Sequence, residues 1–232
     1  MIKVRKAEER GVTRVDWLLS YHTFSFSGYH DPKHTGFRAL RVINEDEIAP
    51  ESGFGTHAHH DMEIITYVLS GELVHRDSMG NGSAIRPGDV QRMTAGKGVT
   101  HSEVNHSSKE PVRLLQIWIL PDTNGLAPSY EQKTFGPEQK RNQLCLAASG
   151  SAKPNAVRIH QDVELFVADL GADKSVEHVL GHRRHAWLQM TKGNVRVNGE
   201  LLRKGDGAAV SNEKGLMIQA TERSEFLLFD LA

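Results

Sequence analysis

The sequence has little of several features that define whole classes of protein. Cys145 is the only cysteine among 232 residues, which excludes an intramolecular disulfide framework and a thiolate-rich zinc site. The 28 basic and 29 acidic residues nearly balance, so no overall charge attracts nucleic acid or an anionic membrane. The longest apolar stretches, such as Leu114 to Leu120, are too short to span a bilayer, and no apolar signal core follows Met1. We therefore expect a cytoplasmic protein with no nucleic-acid partner and no membrane association.

The apolar pattern favours strands and gives little helical signal. Most apolar runs are short and are bounded by Gly, Pro, Asn or Asp, which is typical of strands joined by tight turns. Only the stretch from Ser129 to Lys133, which follows Pro128, predicts a helix. The candidate strands are Phe37 to Ile43, Glu63 to Leu69, Val112 to Leu120, Leu165 to Leu170, Ala186 to Met190, Asn194 to Val197 and Phe226 to Phe229.

Two parts of the chain resemble each other in spacing. In each part a strand meets a turn led by glycine, Gly71 or Gly193, and a Gly-Asp turn at Gly88 or Gly205 then leads into another strand. The pair Pro87-Gly88 suits the central positions of a type II turn. This repetition predicts an all-β protein with two copies of a small barrel. We expect domains at residues 1–130 and 151–232 with a linker at 131–150, and a metal site in the first domain only.

Two tripeptides carry most of the chemical information. Of the thirteen histidines, nine lie between His22 and His106, and among them stand His57-Ala58-His59 and His101-Ser102-Glu103. Residues i and i+2 of a strand share one face, so each tripeptide can direct two metal-binding groups the same way. Two such strands side by side would form a four-ligand pocket. Three imidazoles and one carboxylate suit a divalent first-row metal with coordination positions left for substrate.

The surrounding residues resemble a known family. His57, His59 and Glu63, followed later by a glycine-rich approach to His101 and then Asn105, match the two motifs of the cupin superfamily. Longer words resemble the pirin family of bicupins and lie almost entirely in the first half: His22-Thr-Phe-Ser-Phe26, Tyr67-Val-Leu69, His75-Arg-Asp-Ser78 and Gly88 to Gly96. The resemblance implies two cupin-type, jelly-roll-like β-barrels in one chain.

The resemblance also implies a ligand set and a metal. It carries over to His57, His59, His101 and Glu103, which would hold one divalent transition metal, Fe(II) first, with Zn, Ni, Co, Mn or Cu as alternatives. A typical cupin takes its carboxylate from the first motif, so Glu63 is the alternative ligand. Strand geometry favours Glu103, which shares a face with His101. Glu63 would then orient a ligand imidazole or pair with an arginine.

The remaining histidines are expected to lie outside the metal site. His60 points to the opposite face of its strand, His75 belongs to a charged turn or exposed edge, and His106 leaves the site. A surface position is expected for the cluster His178, His182 and His185. The aromatic and apolar residues near the motifs would wall a cavity or fill the core: Phe24, Phe26, Phe54, Met93 and Trp118.

The resemblance implies a quercetin 2,3-dioxygenase that cleaves a flavonol ring with O₂ and releases carbon monoxide. The partners would then be a flavonol and O₂, and we expect a monomer. Glu103 would neutralise charge and, when its coordination loosens, accept the substrate proton. Two alternatives stay open. One is a non-catalytic, iron-binding, redox-responsive regulatory protein of the pirin type. The other is a cupin isomerase or epimerase for sugars, which lacks an Arg/Lys constellation for a sugar phosphate near the histidines.

Overall fold

The computed structural model describes residues 1–232 and is almost entirely β-sheet, which confirms the predicted fold class. Helix is limited to a 3-10 turn at Ala7–Glu9 and to α1 (Pro137–Lys140). No helix is long and apolar enough to cross a membrane. The strands are β1 (Ile2–Arg5), β2 (Gly11–Val15), β3 (Leu18–His22), β4 (Leu40–Ile48), β5 (Ser52–His59), β6 (Glu63–Ser70), β7 (Leu73–Asp77), β8 (Gly82–Ile85), β9 (Asp89–Thr94), β10 (Val99–Asn105), β11 (Val112–Ile119), β12 (Ser129–Thr134), β13 (Cys145–Ser149), β14 (Val157–Arg158), β15 (Val163–Leu170), β16 (Ser175–Val179), β17 (His185–Lys192), β18 (Asn194–Val197), β19 (Glu200–Arg203), β20 (Gly207–Val210), β21 (Gly215–Ala220) and β22 (Ser224–Leu231).

Compact packing divides the chain into two interleaved units. The first unit comprises Gly11–Thr134 and Val157–Gln161, and the second comprises Met1–Arg10, Phe135–Ala156 and Asp162–Ala232. The predicted boundaries at 130 and 150 stay a prediction. The N-terminal segment belongs to the second unit, although most of that unit comes from the C-terminal part of the chain, because β1 pairs with β20.

The first unit consists of two antiparallel sheets. The larger has the strand order β12-β9-β6-β11-β4-β3-β2, and the smaller has the order β5-β10-β7-β8. Apolar residues from both sheets form its core, for example Val68 and Ile85 in one cluster and Ile64 and Met93 in another. This two-layer arrangement follows from strands that each have one face to bury.

The segment from Ser129 to Thr134 is a strand, so the predicted helix at Ser129 to Lys133 is wrong. Its residues pair with β9 in register, with Tyr130 opposite Met93. The ladder to a strand some forty residues away outweighs the local sequence preference, which is a weak predictor for a short segment.

The second unit repeats the design of the first. Its larger sheet contains β1-β20-β17-β22-β15-β13 and its smaller sheet β16-β21-β18-β19. The repeated hairpins have the same backbone geometry, since Gly71 (φ +79°) and Gly193 (φ +67°) both adopt the left-handed conformation that favours glycine. The spacing repeat in the sequence therefore corresponds to a repeat in structure.

Candidate metal centre

Two neighbouring strands of the smaller sheet bring three predicted ligands together. β5 and β10 are antiparallel, and His57 lies directly opposite His101. One ligand atom from each of His57, His59 and His101 lies within 4.8 Å of the others. We call these residues the histidine trio. The expectation that the two tripeptides lie side by side agrees with this geometry.

A register shift between β10 and β5 changes which side chains of β5 face the site. The register between β10 and β5 shifts between His101 and Glu103, so Glu103 lies opposite Phe54 and not opposite Gly55. Such a bulge changes which side chains point to a given face. Phe54 and His57 therefore line the same cavity although three positions separate them.

The imidazoles of the trio present nitrogens suitable for a metal. His57 donates its Nδ1–H to the carbonyl oxygen of Gly55 at 2.8 Å, so Nε2 is the ring nitrogen that can bind a metal. That Nε2 lies 3.0 Å from Nε2 of His101. Two ligands at right angles, each about 2.1 Å from one ion, would be about 3 Å apart. The spacing of the two nitrogens therefore fits adjacent positions around a single metal.

The electrostatics around His59 and His101 favour neutral imidazoles. Burial and the neighbouring His57 and His60 lower the pKa of His59 to about 4. Burial and the surrounding imidazoles, led by His57, lower the pKa of His101 to about 3. Both rings are thus uncharged at neutral pH, with one nitrogen of each free of a proton, which is the form that binds a metal.

Glu103 lies beside the trio and belongs to a second cluster with His75 and His101. Its carboxylate accepts hydrogen bonds from Nε2 of Gln116 at 2.9 and 3.1 Å and from the Thr66 hydroxyl at 3.2 Å. Burial raises the pKa of Glu103 to about 7, although these hydrogen bonds oppose the shift. The side chain lines the same cavity as the trio, and His101 is common to both clusters.

The alternative carboxylate, Glu63, lies in neither cluster. It is fully buried and lies 4.0 Å from Nε of Arg92. It also accepts a hydrogen bond from the backbone N–H of His160 at 3.2 Å. This environment corresponds to the pairing with an arginine that the sequence allowed for Glu63.

The expectation for His75 was wrong, because this residue lies inside strand β7 and is fully buried. Its Nδ1 is 3.4 Å from Nδ1 of His101, and its Nε2 is 3.3 Å from the Asp77 carboxylate. β7 pairs with β10, so His75 lies opposite Glu103 and Asp77 lies opposite His101. His75 therefore contacts the Nδ1 side of His101, and the pairing of β7 with β10 produces this contact.

The cavity around the trio has a volume of about 270 Å³, close to the lower limit for small-molecule sites. Phe26, Phe54 and Trp118 line it, as the sequence suggested, whereas Phe24 and Met93 are buried core residues. The Trp118 ring meets His59 edge to face at 4.9 Å between centroids. The site thus combines apolar aromatic walls with a cluster of metal-binding nitrogens.

Sequence reasoning missed a group of polar residues in this cavity. Ser20 and His22 of β3 and Asn44 and Asp46 of β4 are buried and line it. The sequence signal is limited to their alternate positions, Ser20 with His22 and Asn44 with Asp46, which indicates one shared face in each strand and not the cavity that the face lines.

The other histidines have local partners or face solvent. His60 and His106 are exposed, as expected. His178 contacts the Asp230 carboxylate at 2.7 Å, and Nδ1 of His185 lies 2.8 Å from the Ser211 hydroxyl.

Comparison with known proteins identifies the family. The family model described as Pirin matches residues 3–119, and the one described as Quercetinase C-terminal cupin domain matches residues 146–231. The chain belongs to the pirin family. The resemblance inferred from the sequence is confirmed, as is the two-cupin architecture of this pirin.

Relatives of this pirin are similar over their full length. A protein of Escherichia coli strain K12 named quercetin 2,3-dioxygenase is 48% identical over 231 residues, which cover 100% of this chain and 99% of the relative. The crystal structure of YhhW from E. coli has a TM-score of 0.96 at 47% identity and covers 100% of this chain and 98% of YhhW. YhhW in complex with nickel(II), described as a bacterial pirin, has a TM-score of 0.94 at 47% identity, with 100% and 99% of the two chains covered. The predicted enzyme class agrees with the name of the first relative.

Proposed function

We propose that this protein is a quercetin 2,3-dioxygenase that binds one divalent transition metal, Fe(II) first, through His57, His59, His101 and Glu103. The observation that carries the proposal is the histidine trio, whose nitrogens converge within 4.8 Å at an aromatic cavity. The name of the E. coli relative supports the activity, and the nickel complex of YhhW supports binding of a divalent metal.

The bound metal would supply Lewis-acid activation of a flavonol's adjacent hydroxyl and carbonyl oxygens and bring O₂ close to the ring. The protein would do the rest by positioning. Phe26, Phe54 and Trp118 offer apolar surface to the flat rings and exclude water from the reacting bond. Ring cleavage would release carbon monoxide.

Glu103 is the group placed to take the proton of the flavonol hydroxyl. Its carboxylate lines the cavity beside the histidine trio, and it would act as a general base when its coordination to the metal loosens. Gln116 and Thr66 fix the carboxylate from the larger sheet, so it keeps its direction when the proton arrives. We therefore assign Glu103 a catalytic role in addition to metal binding.

The test combines metal analysis with a flavonol assay. Protein purified without chelators or an affinity resin is analysed for metal, then loaded in turn with Fe, Mn, Co, Ni, Cu and Zn. Loss of quercetin absorbance together with carbon monoxide release is expected with at least one metal. No turnover with any of them would overturn the proposal. In that case a metal-dependent change in binding to a partner would instead support the regulatory alternative.

Matched variants assign the ligands in the same assay. His57→Ala is expected to abolish both metal binding and turnover, whereas His185→Ala, on the second unit, should retain both. Glu103→Gln should lose most of the metal and Glu63→Gln should keep it. The reverse result for the two glutamates would transfer the ligand role to Glu63.

A further inference from the structure

One wall of the cavity is polar and contains none of the predicted ligands. It is formed by two residues of β3 and two of β4 that pair directly across the sheet, Ser20 with Asp46 and His22 with Asn44. All four side chains are buried and line the cavity. Burying polar groups is unfavourable unless each finds a hydrogen-bond partner, so the partners of this wall are informative.

His22 and Asn44 satisfy each other. Nδ1–H of His22 donates to Oδ1 of Asn44 at 2.8 Å, and the Thr13 hydroxyl donates to Nε2 of His22 at 2.8 Å. Both ring nitrogens of His22 are therefore engaged, which fixes its orientation. This pair forms a rigid flank beside Asp46.

Asp46 differs from the rest of the wall. It is only 3% exposed, and its Oδ1 has no hydrogen-bond partner. Burial raises its pKa to about 7, with Ser20 opposing the shift and Glu103 and Glu45 adding to it. The torsion that turns a carboxyl group is soft, so rotation about it can bring the unpartnered oxygen toward the cavity that the side chain lines. An incoming hydrogen-bond donor would offset the unfavourable burial.

We propose that Asp46 is a substrate-binding residue that accepts a hydrogen bond from a phenolic hydroxyl of the substrate, one that is not a metal ligand. The inference rests on the proposed function and narrows it to polyhydroxylated flavonols. Gln116, which donates to Glu103, pairs across the sheet with Asn44 of β4. Asp46 lies two residues beyond Asn44 on the same strand, so it is displaced along β4 from the position of Gln116. The hydroxyl it binds therefore belongs to a part of the molecule other than the oxygens held at the metal.

The apolar residues of the cavity explain why the partner is a phenol. Leu18, Phe54 and Trp118 line it together with Asp46. A ligand that satisfies both surfaces needs a flat apolar ring and a hydrogen-bond donor at its edge. A hydroxyl on an aromatic ring supplies both, whereas an unsubstituted ring leaves the Asp46 oxygen without a partner.

The test is equilibrium binding of two flavonols to the Ni²⁺-loaded protein under nitrogen, where no turnover competes. Quercetin carries hydroxyls on several rings, and 3-hydroxyflavone has only the hydroxyl that adjoins its carbonyl. Asp46→Asn should weaken quercetin binding about tenfold, because an amide oxygen accepts a weaker hydrogen bond than a carboxylate. It should change 3-hydroxyflavone binding less than twofold, because that ligand has no second hydroxyl to donate. Asp46→Leu tests the same loss without an amide. Glu47→Gln, the exposed neighbour on the opposite face of β4, is the charge-matched control and should leave both affinities unchanged.

The outcomes separate the inference from the proposed function. Nickel content and far-ultraviolet circular dichroism of each variant confirm that the site and fold persist. Equal weakening of both flavonols, or no weakening of either, would overturn the role of Asp46 while the dioxygenase proposal stands on its own turnover assay. If the unsubstituted protein binds neither flavonol, the proposed function falls, and the role of Asp46 toward flavonols falls with it.

Discussion

Gln116 provides the sharpest test of how the protein orients Glu103, the proposed carboxylate ligand. The residue is 8% exposed, and its Nε2 donates to both oxygens of Glu103, at 2.9 and 3.1 Å. Gln116→Leu removes these hydrogen bonds while roughly preserving volume. A metal would then have to fix a carboxylate that the protein no longer orients.

The expected magnitude follows from the contacts. A hydrogen bond to a charged group contributes about 2 kcal/mol. Its loss would raise the dissociation constant for the metal about thirtyfold. Loss of a group that orients a metal ligand typically weakens binding by about 10- to 100-fold, in the same range. Thr66→Val removes a single, longer contact to one oxygen, at 3.2 Å, and should weaken binding by less than tenfold.

The assay is competition for Ni²⁺ between each protein and a chelator of known affinity. Glu47→Gln serves again as the control, and thermal unfolding of the metal-free proteins separates lost affinity from lost folding. Gln116→Leu protein that binds Ni²⁺ as tightly as the parent would refute the reasoning, since Glu103 would then need no orientation from the larger sheet.

Two further predictions concern stability of the second unit. Asp230 accepts hydrogen bonds from His178 and Arg184, and although burial opposes the shift, these partners hold the pKa of Asp230 below its ordinary value. Its stabilisation is thus present above about pH 4 and is lost as pH falls through the lowered pKa. Asp230→Asn should therefore lower the free energy of unfolding by about 2 kcal/mol at pH 7 and by progressively less as pH falls below about 4, measured by urea denaturation. A loss independent of pH would contradict this. Gly193→Ala should destabilise by more than about 1 kcal/mol, because φ is +67° and a Cβ atom would lie 2.4 Å from the carbonyl oxygen of Arg223. Gly199→Ala, with positive φ but open space, should lose less, and equal losses would exclude the steric contribution.

The sequence predicted what depends on spacing within one strand. His57 and His59 are two residues apart, and so are His101 and Glu103, so their shared faces follow from the period of a strand. The hairpin glycines could be predicted for a similar reason, because a left-handed residue leaves a strong local signal in the sequence.

Features that arise from pairing between distant strands could not be predicted this way. His75 contacts His101 only because β7 pairs with β10. Asp46 lies beside Ser20 in the cavity wall only because β4 pairs with β3 in the larger sheet. The segment after Pro128 looked helical because its pairing with β9 leaves no trace in its own composition. Strand register depends on two segments together, whereas the residue pattern of one segment describes that segment alone.

The interleaving of the two units bears on the order in which they can form during synthesis. The ladder of Ile2 to Arg5 with Gly207 to Val210 joins residues about two hundred positions apart, so the N-terminal strand must wait for nearly the whole chain. The unit that carries the histidine trio contains no residue beyond 161. A nascent chain could therefore assemble its metal-binding half while the other half still awaits its last strands, and ribosome-bound intermediates of increasing length should acquire nickel affinity before they acquire resistance to proteolysis at residues 2–5.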